Sequence, residues 1–205
     1  MNMDDIKIYL PKFLSGESEK ELFEGLKGFP DNIDERLYTS YLTDTEIIYQ
    51  GDGLKELLVI NLPNPDLNPA PCMVLSNTCD IDLRNQREFP AQLVYSPIFN
   101  LRKYQEKLYE KSTKTKEQID KHIDSIRHQR VTQIFYLPRI IDRLEESLVF
   151  FDRVCNFPNK LIGRDNIRDR RLFVLSDYGA YLFLLKLSIH FTRMYDKVER
   201  KSCLI

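Results

Sequence analysis

The chain has 205 residues, 42% of them hydrophobic and 11% aromatic, which is enough for one substantial core and excludes a largely disordered protein. Thirty basic residues stand against 31 acidic ones, for a formal charge of -1; this excludes a globally basic nucleic-acid or membrane binder and leaves only a local patch for such a role. The four cysteines, Cys72, Cys79, Cys155 and Cys203, include no close pair, which argues against structural zinc and a disulfide framework.

The opening Met1-Asn2-Met3-Asp4-Asp5 has no basic region followed by an apolar one, so no secretory signal is expected and the location expected is cytoplasmic. Ser18 and Glu21 have capping-box spacing ahead of Leu22, Phe23 and Leu26, which predicts a short amphipathic helix ending at Gly28. Glu46 to Gln50 and Leu57 to Leu62 read as two strands of a hairpin, with Gly51-Asp52-Gly53 as the tight turn. Pro63, Pro65, Pro69 and Pro71 predict an extended loop that cannot pair fully, leading to a buried strand from Cys72 to Ser76.

Ala91 to Ser96 is the next predicted strand, closed by Pro97. From Leu101 to Arg130 there are nine Lys or Arg and five acidic residues, with one apolar stripe at Leu101, Tyr104 and Leu108 and another at Ile119, Ile123 and Ile126. Thr115 to Gln118 supplies a capping box between them. This predicts a helical pair with a net basic outer face, which reads either as a solvated surface or as a nucleic-acid patch. Thr132 to Leu137 is expected to be a half-buried strand, Ser147 to Phe151 a central one, and Arg171 to Leu175 a strand leading to Ser176, the N-cap of a final helix. That helix is expected to run to about Arg200 with Arg193, Lys197, Arg200 and Lys201 in water. Its apolar stretch near Ala180 to Leu185 is too short to span a membrane, and Cys203-Leu204-Ile205 is one residue short of a prenylation signal.

The order of a Gly51-Asp52 turn, a proline-bearing loop, Pro71 to Asn77, Ser96-Pro97-Ile98, Ser147 to Val154 and a Leu175-Ser176-capped helix resembles the MazF/PemK growth-inhibitor superfamily. The resemblance implies an α+β fold: an SH3-like small β-barrel, with the helical pair as an insertion and a packed C-terminal helix. On this reading the chain is a single elaborated domain, with an N-terminal helical extension over 1–45, the barrel core and C-terminal helix over 46–100 and 131–200, and the helical insertion over 101–130. Many members of the family cut single-stranded RNA without a metal, using an arginine before the loop proline and a hydroxyl after the later Pro-Ile. Here those positions hold Ala70 and Phe99, so the resemblance implies a fold whose nuclease site is altered or absent.

The densest set of chemically capable groups is Ser76-Asn77-Thr78-Cys79-Asp80-Ile81-Asp82, at the end of a predicted strand beside the cleft that the resemblance implies. Cys79 with Asp80 is the candidate catalytic pair, a thiolate in need of a base such as His122, His128 or His190; an isolated cysteine is more often a small buried hydrophobe. Asp52, Ser76, Asn77, Thr78, Asp82, Arg84 and Arg87 are the candidate binding residues; Ser76, Asn77, Thr78, Arg84 and Arg87, with Asn85, carry donors suited to phosphate or sugar. Asp52, Asp80 and Asp82 also have the chemistry for a divalent cation, and Asn77, Thr78 and Asp80 that of turn caps; no resident metal or cofactor is expected. The expected partners are single-stranded RNA or another nucleic acid, a protein, and a second copy of the chain in a homodimer, with no membrane. Three functions stay open: nucleic-acid recognition in a toxin or phage-defence setting, a protein- or nucleotide-binding regulatory module, and a Cys79-dependent enzyme.

Overall fold

The computed structural model describes residues 16–43, 45–61, 63–85 and 88–192. In chain order these form α1 (Gly16–Lys27), α2 (Ile33–Arg36), β1 (Tyr38–Thr39), β2 (Gly53–Asn61), β3 (Asn64–Val74), α3 (Thr78–Ile81) and β4 (Gln92–Asn100). Then follow α4 (Leu101–Lys111), α5 (Lys116–Arg127), β5 (Ile134–Leu137), β6 (Ser147–Phe150), β7 (Cys155–Pro158), α6 (Ile167–Arg170), β8 (Arg171–Leu175) and α7 (Asp177–Thr192). The opening Met1 to Asp5, Arg87, the basic end Arg193, Lys197, Arg200 and Lys201, and Cys203 lie outside the described residues.

The architecture is α+β. The strands pair antiparallel in the order β1-β8-β2-β3-β4-β6-β5, with β7 on β4, so the path is open, with β1 at one end and β5 at the other. Because successive side chains of a strand point to opposite faces, β3 sends Met73 and Leu75 into one core and Cys72 and Val74 into another. The larger core holds β5, β6, the apolar stripe of α5 and the buried face of α7. The smaller one gathers Leu54, Leu57, Leu93, Tyr95, Cys155 and Ile167. Across it the Tyr95 hydroxyl donates to the Leu58 carbonyl, tying β4 to β2.

The helical pair forms as its pattern predicts. Thr115 and Gln118 exchange side-chain and backbone hydrogen bonds in a capping box, and Ile119, Ile123 and Ile126 are all buried. The pair is therefore part of the larger core. It also covers β5, whose four residues are all buried where half-burial was expected. Gln129 completes that edge: its amide donates to the Tyr136 carbonyl at 2.8 Å and accepts from the Tyr136 N–H at 3.1 Å, as a neighbouring strand would. Lys186 of α7 donates to the Gln129 carbonyl and side-chain oxygen at 2.9 and 2.8 Å, and burial pushes its ammonium down to about 7.

Five expectations change. Glu46 to Gln50 is not a strand, because its segment gives its carbonyls to Arg171 instead of a ladder. The hairpin is β2 with β3, and the proline-rich stretch from Asn64 is itself a strand. Proline is tolerated there because β4 meets β3 only from Cys72 to Val74, leaving the remainder of β3 with an open edge. Pro97 does not close β4: it sits where the outer edge changes partner, from β7 up to Tyr95 to β6 from Ile98. Ser18 lies inside α1, whose described residues begin at Gly16, so its capping box is not the start of that helix.

Candidate functional site

In the Ser76 to Asp82 segment the polar side chains are occupied by local structure. The Asn77 side chain accepts from the Cys79 N–H at 2.9 Å and caps α3, and Thr78 Oγ1 accepts from the Gln50 N–H at 2.9 Å. Ser76 Oγ accepts from the Val94 N–H at 2.7 Å and joins the segment to β4. Asp82 holds Arg84 through two guanidinium nitrogens at 3.0 and 2.6 Å, and these bonds pull its carboxyl down to about 2. Ser76, Asn77, Thr78 and Asp82 thus serve as caps and anchors, while the Arg84 side chain stays largely exposed.

Cys79 is exposed, and among the described residues its thiol has no hydrogen-bond partner. The histidines are engaged elsewhere: His122 with the Tyr104 hydroxyl at 3.1 Å, His128 with Asp124, and His190 against Phe151 and Phe191. Among the described residues, therefore, neither a histidine nor a cation is hydrogen-bonded to the sulfur, as an activated thiolate requires. Asp80 lines a depression of about 330 Å³ together with Asp82, Asn85, Phe89 and Lys160. Among the described residues no three His, Cys, Asp or Glu side chains converge as ligands for a metal ion.

Asp52 is not on the surface with these groups. It is fully buried, accepts from the Tyr49 N–H at 3.0 Å and faces Arg171 Nε at 3.3 Å. Its other oxygen, Oδ1, has no hydrogen-bond partner. Burial outweighs the guanidinium and pushes the carboxyl up to about 7. The pair holds the fold together, and Asp52 has no exposed face for a ligand.

Ala70 and Phe99, the positions that the resemblance aligns with a catalytic pair, lie apart from the polar cluster. Ala70 is six residues before Ser76, about 20 Å along an extended chain. Phe99 faces Phe150 and lies under Arg153, whose guanidinium is 5.0 Å from its ring. Ala70, Pro71, Ile98 and Asn100 instead line a groove of about 580 Å³ with Lys55, Lys103 and Arg143. Its carboxylates are Glu56 and Glu145, and Glu145 is paired with Arg139 at 3.7 Å. Lys103 is set in the first turn of α4 by its N-cap, Asn100. Among the described residues the side chains of Lys55, Lys103 and Arg143 have no hydrogen-bond or ion-pair partner.

Sequence reasoning did not find this groove, because its cations come from β2, α4 and the turn before β6, far apart in the chain. The nearest signal was the positive balance of residues 101–130; of those basic residues only Lys103 lines the groove. Compared with protein-family models and with curated proteins, the chain matches none.

Proposed function

We propose that this chain is a divergent MazF/PemK-like protein that recognises single-stranded nucleic acid, in a toxin or phage-defence setting, without the family's ribonuclease pair. On this reading β8, β2, β3, β4 and β7 correspond to the SH3-like barrel, with β2, β3, β4 and β7 lining the smaller core and β8 packed in the larger. The observation that carries the proposal is the groove over Ala70, Pro71 and Ile98, where Lys55, Lys103 and Arg143, three cations without a side-chain partner among the described residues, surround the position of the missing catalytic arginine. Phosphate contacts of this kind give sequence-tolerant, salt-dependent affinity. With Ala70 and Phe99 in the two catalytic positions, a bound strand stays intact.

The test is fluorescence anisotropy with a short single-stranded RNA bearing hydroxyl ends. Neutralising three phosphates gives a slope of about -2 in log K against log salt, and removing one cation reduces it by about 0.7. Lys103→Ala is expected to weaken binding and lower the slope by that amount. No binding at low salt, or binding indifferent to Lys103→Glu, overturns the proposal.

A second reading, a protein-binding module, is favoured by one observation. Phe89 and Phe191 are 82% and 63% exposed and line one apolar depression of about 510 Å³ with Val94, Val154 and Leu187, the composition of a contact surface. The Cys79 enzyme is the least supported reading, since among the described residues the thiol has no hydrogen-bond partner to activate it.

A further inference from the structure

We infer that the pocket adjoining the basic groove binds a phosphomonoester group, the dianion found at a phosphorylated strand end or on a free nucleotide; this deepens the nucleic-acid reading and rests on the same groove. The pocket has a volume of about 460 Å³ and is lined by Lys55, Arg143, Arg168 and Arg171, with Asp169 as its carboxylate. It shares Lys55, Arg143 and Leu172 with the groove, so a ligand held there continues directly into it.

The first observation is a charge imbalance. Arg84, Arg102, Arg127 and Arg139 each hold a carboxylate, whereas among the described residues the side chains of Lys55, Arg143 and Arg168 have no hydrogen-bond or ion-pair partner. Arg171, buried behind them, has its N–H groups directed to carbonyls and to Asp52; it adds positive potential without offering those donors. Like charges in one cavity repel, and an anion relieves that repulsion.

The second observation is backbone conformation. Glu56 and Asp142 have φ of 60° and 61°, the left-handed region that costs a residue with a side chain. They adjoin Lys55 and Arg143 in sequence, so both pocket turns adopt it. At Lys55 the cause is a bulge in β2 between Leu54 and Leu57, clamped by Arg170 donating to the Lys55 and Glu56 carbonyls at 3.2 and 3.3 Å. At Arg143 it is the turn closed by the Ile140 N–H on the Leu144 carbonyl at 2.8 Å. Bulges and strained turns of this kind re-aim side chains at binding sites.

Charge selects the ligand class. A phosphodiester carries one negative charge, and a phosphomonoester about 1.5 to 2 near pH 7 with three acceptor oxygens. Among the described residues three cations without a partner, set against the one carboxylate Asp169, leave a positive balance of about two that matches the second.

The test compares one single-stranded RNA sequence with a 5′-phosphate, a 3′-phosphate or only hydroxyl ends, by anisotropy on the full chain, with calorimetric titrations of adenosine 5′-monophosphate and adenosine. A phosphate-ended strand is expected to bind at least about tenfold tighter than the hydroxyl-ended one, the scale of one charge-assisted hydrogen bond. Arg168→Ala is expected to bring that ratio to about 1, and Arg168→Lys to restore part of it. Binding of the monophosphate but not adenosine identifies a free nucleotide as a source; a phosphate preference without monophosphate binding identifies the strand end. Equal affinity for all three strands, with neither titration showing binding, overturns the inference. If the hydroxyl-ended strand still binds in that case, the groove proposal survives; if only the monophosphate binds, the pocket survives and the groove proposal fails.

Discussion

At Arg171 one guanidinium does the work of a strand ladder. It donates to the carbonyls of Thr43 and Thr45 at 2.8 Å, to those of Leu42 and Ile47, and to Asp52, and so fastens an irregular segment that would otherwise bury unpaired carbonyls. Removing one partner of a buried ion pair costs about 3–5 kcal/mol, so Arg171→Met reports mainly global damage. The near-isosteric Asp52→Asn is the better probe. Folded Asp52 keeps its proton up to about pH 7, whereas in the unfolded chain an aspartate releases it near 3.9. The folded state therefore binds the extra proton between those values, and its stabilisation, full below about pH 4, is lost as pH rises through 7. In urea denaturation from pH 3 to 8, the stability of the wild type relative to Asp52→Asn should fall across that window and level off on either side. A difference constant with pH would mean that Asp52 is ionised in the fold.

At the scale of elements, the start of α7 shows how closely the pieces are fitted. Ser176 Oγ accepts from the Gly179 N–H at 3.0 Å and donates to the Arg36 carbonyl, seating the helix on the end of α2. A Cβ at Gly179 would lie 2.2 Å from the Leu37 carbonyl oxygen. Gly→Ala inside a helix gains up to about 1 kcal/mol in propensity, but overpacking against backbone costs about 1–3 kcal/mol, and here the obstacle is a carbonyl that cannot rotate away. Gly179→Ala should therefore lower stability by about 1–2 kcal/mol, read as a lower urea midpoint; a raised midpoint would show that α7 can slide. Features of this local kind were legible in the sequence: the Ser176 cap, the Thr115 box and the stripe of α5 each depend on residues a few positions apart. Glu46 to Gln50 was misread because an apolar run looks the same whether its carbonyls meet a strand or an arginine more than 120 residues away. The prolines of β3 were misread because whether a strand edge is open cannot be known before its neighbours are placed. The polar cluster was found, but its caps are indistinguishable in sequence from ligand-binding groups, and the basic groove is assembled from segments that only the fold brings together.

At the scale of the molecule, the groove and its pocket draw on both cores. Lys55 sits on β2, beside Leu54 and Leu57 of the smaller core, whereas Lys103 follows Leu101 and Arg143 precedes Leu144, both of which pack with the larger core. Since β3 gives alternate side chains to each, neither core can lose its packing without disturbing a strand the other needs. The expected consequence is one cooperative transition. The chain has no tryptophan, so Phe157→Trp, packed against the smaller core, supplies a local probe without background, while far-UV circular dichroism follows the helices, the long ones among them packed on the larger core. In that background Leu54→Ala in the smaller core and Ile123→Ala in the larger should each cost about 2–5 kcal/mol, a large share of a typical total of about 5–15 kcal/mol. Both substitutions should move both probes to the same new urea midpoint. If Ile123→Ala instead shifts the dichroism and leaves the tryptophan transition in place, the cores unfold separately and Lys55 loses its fixed relation to Lys103 and Arg143. In that event RNA affinity should fall at urea concentrations where the smaller core is still folded; with coupled cores, affinity and both spectroscopic signals are lost together.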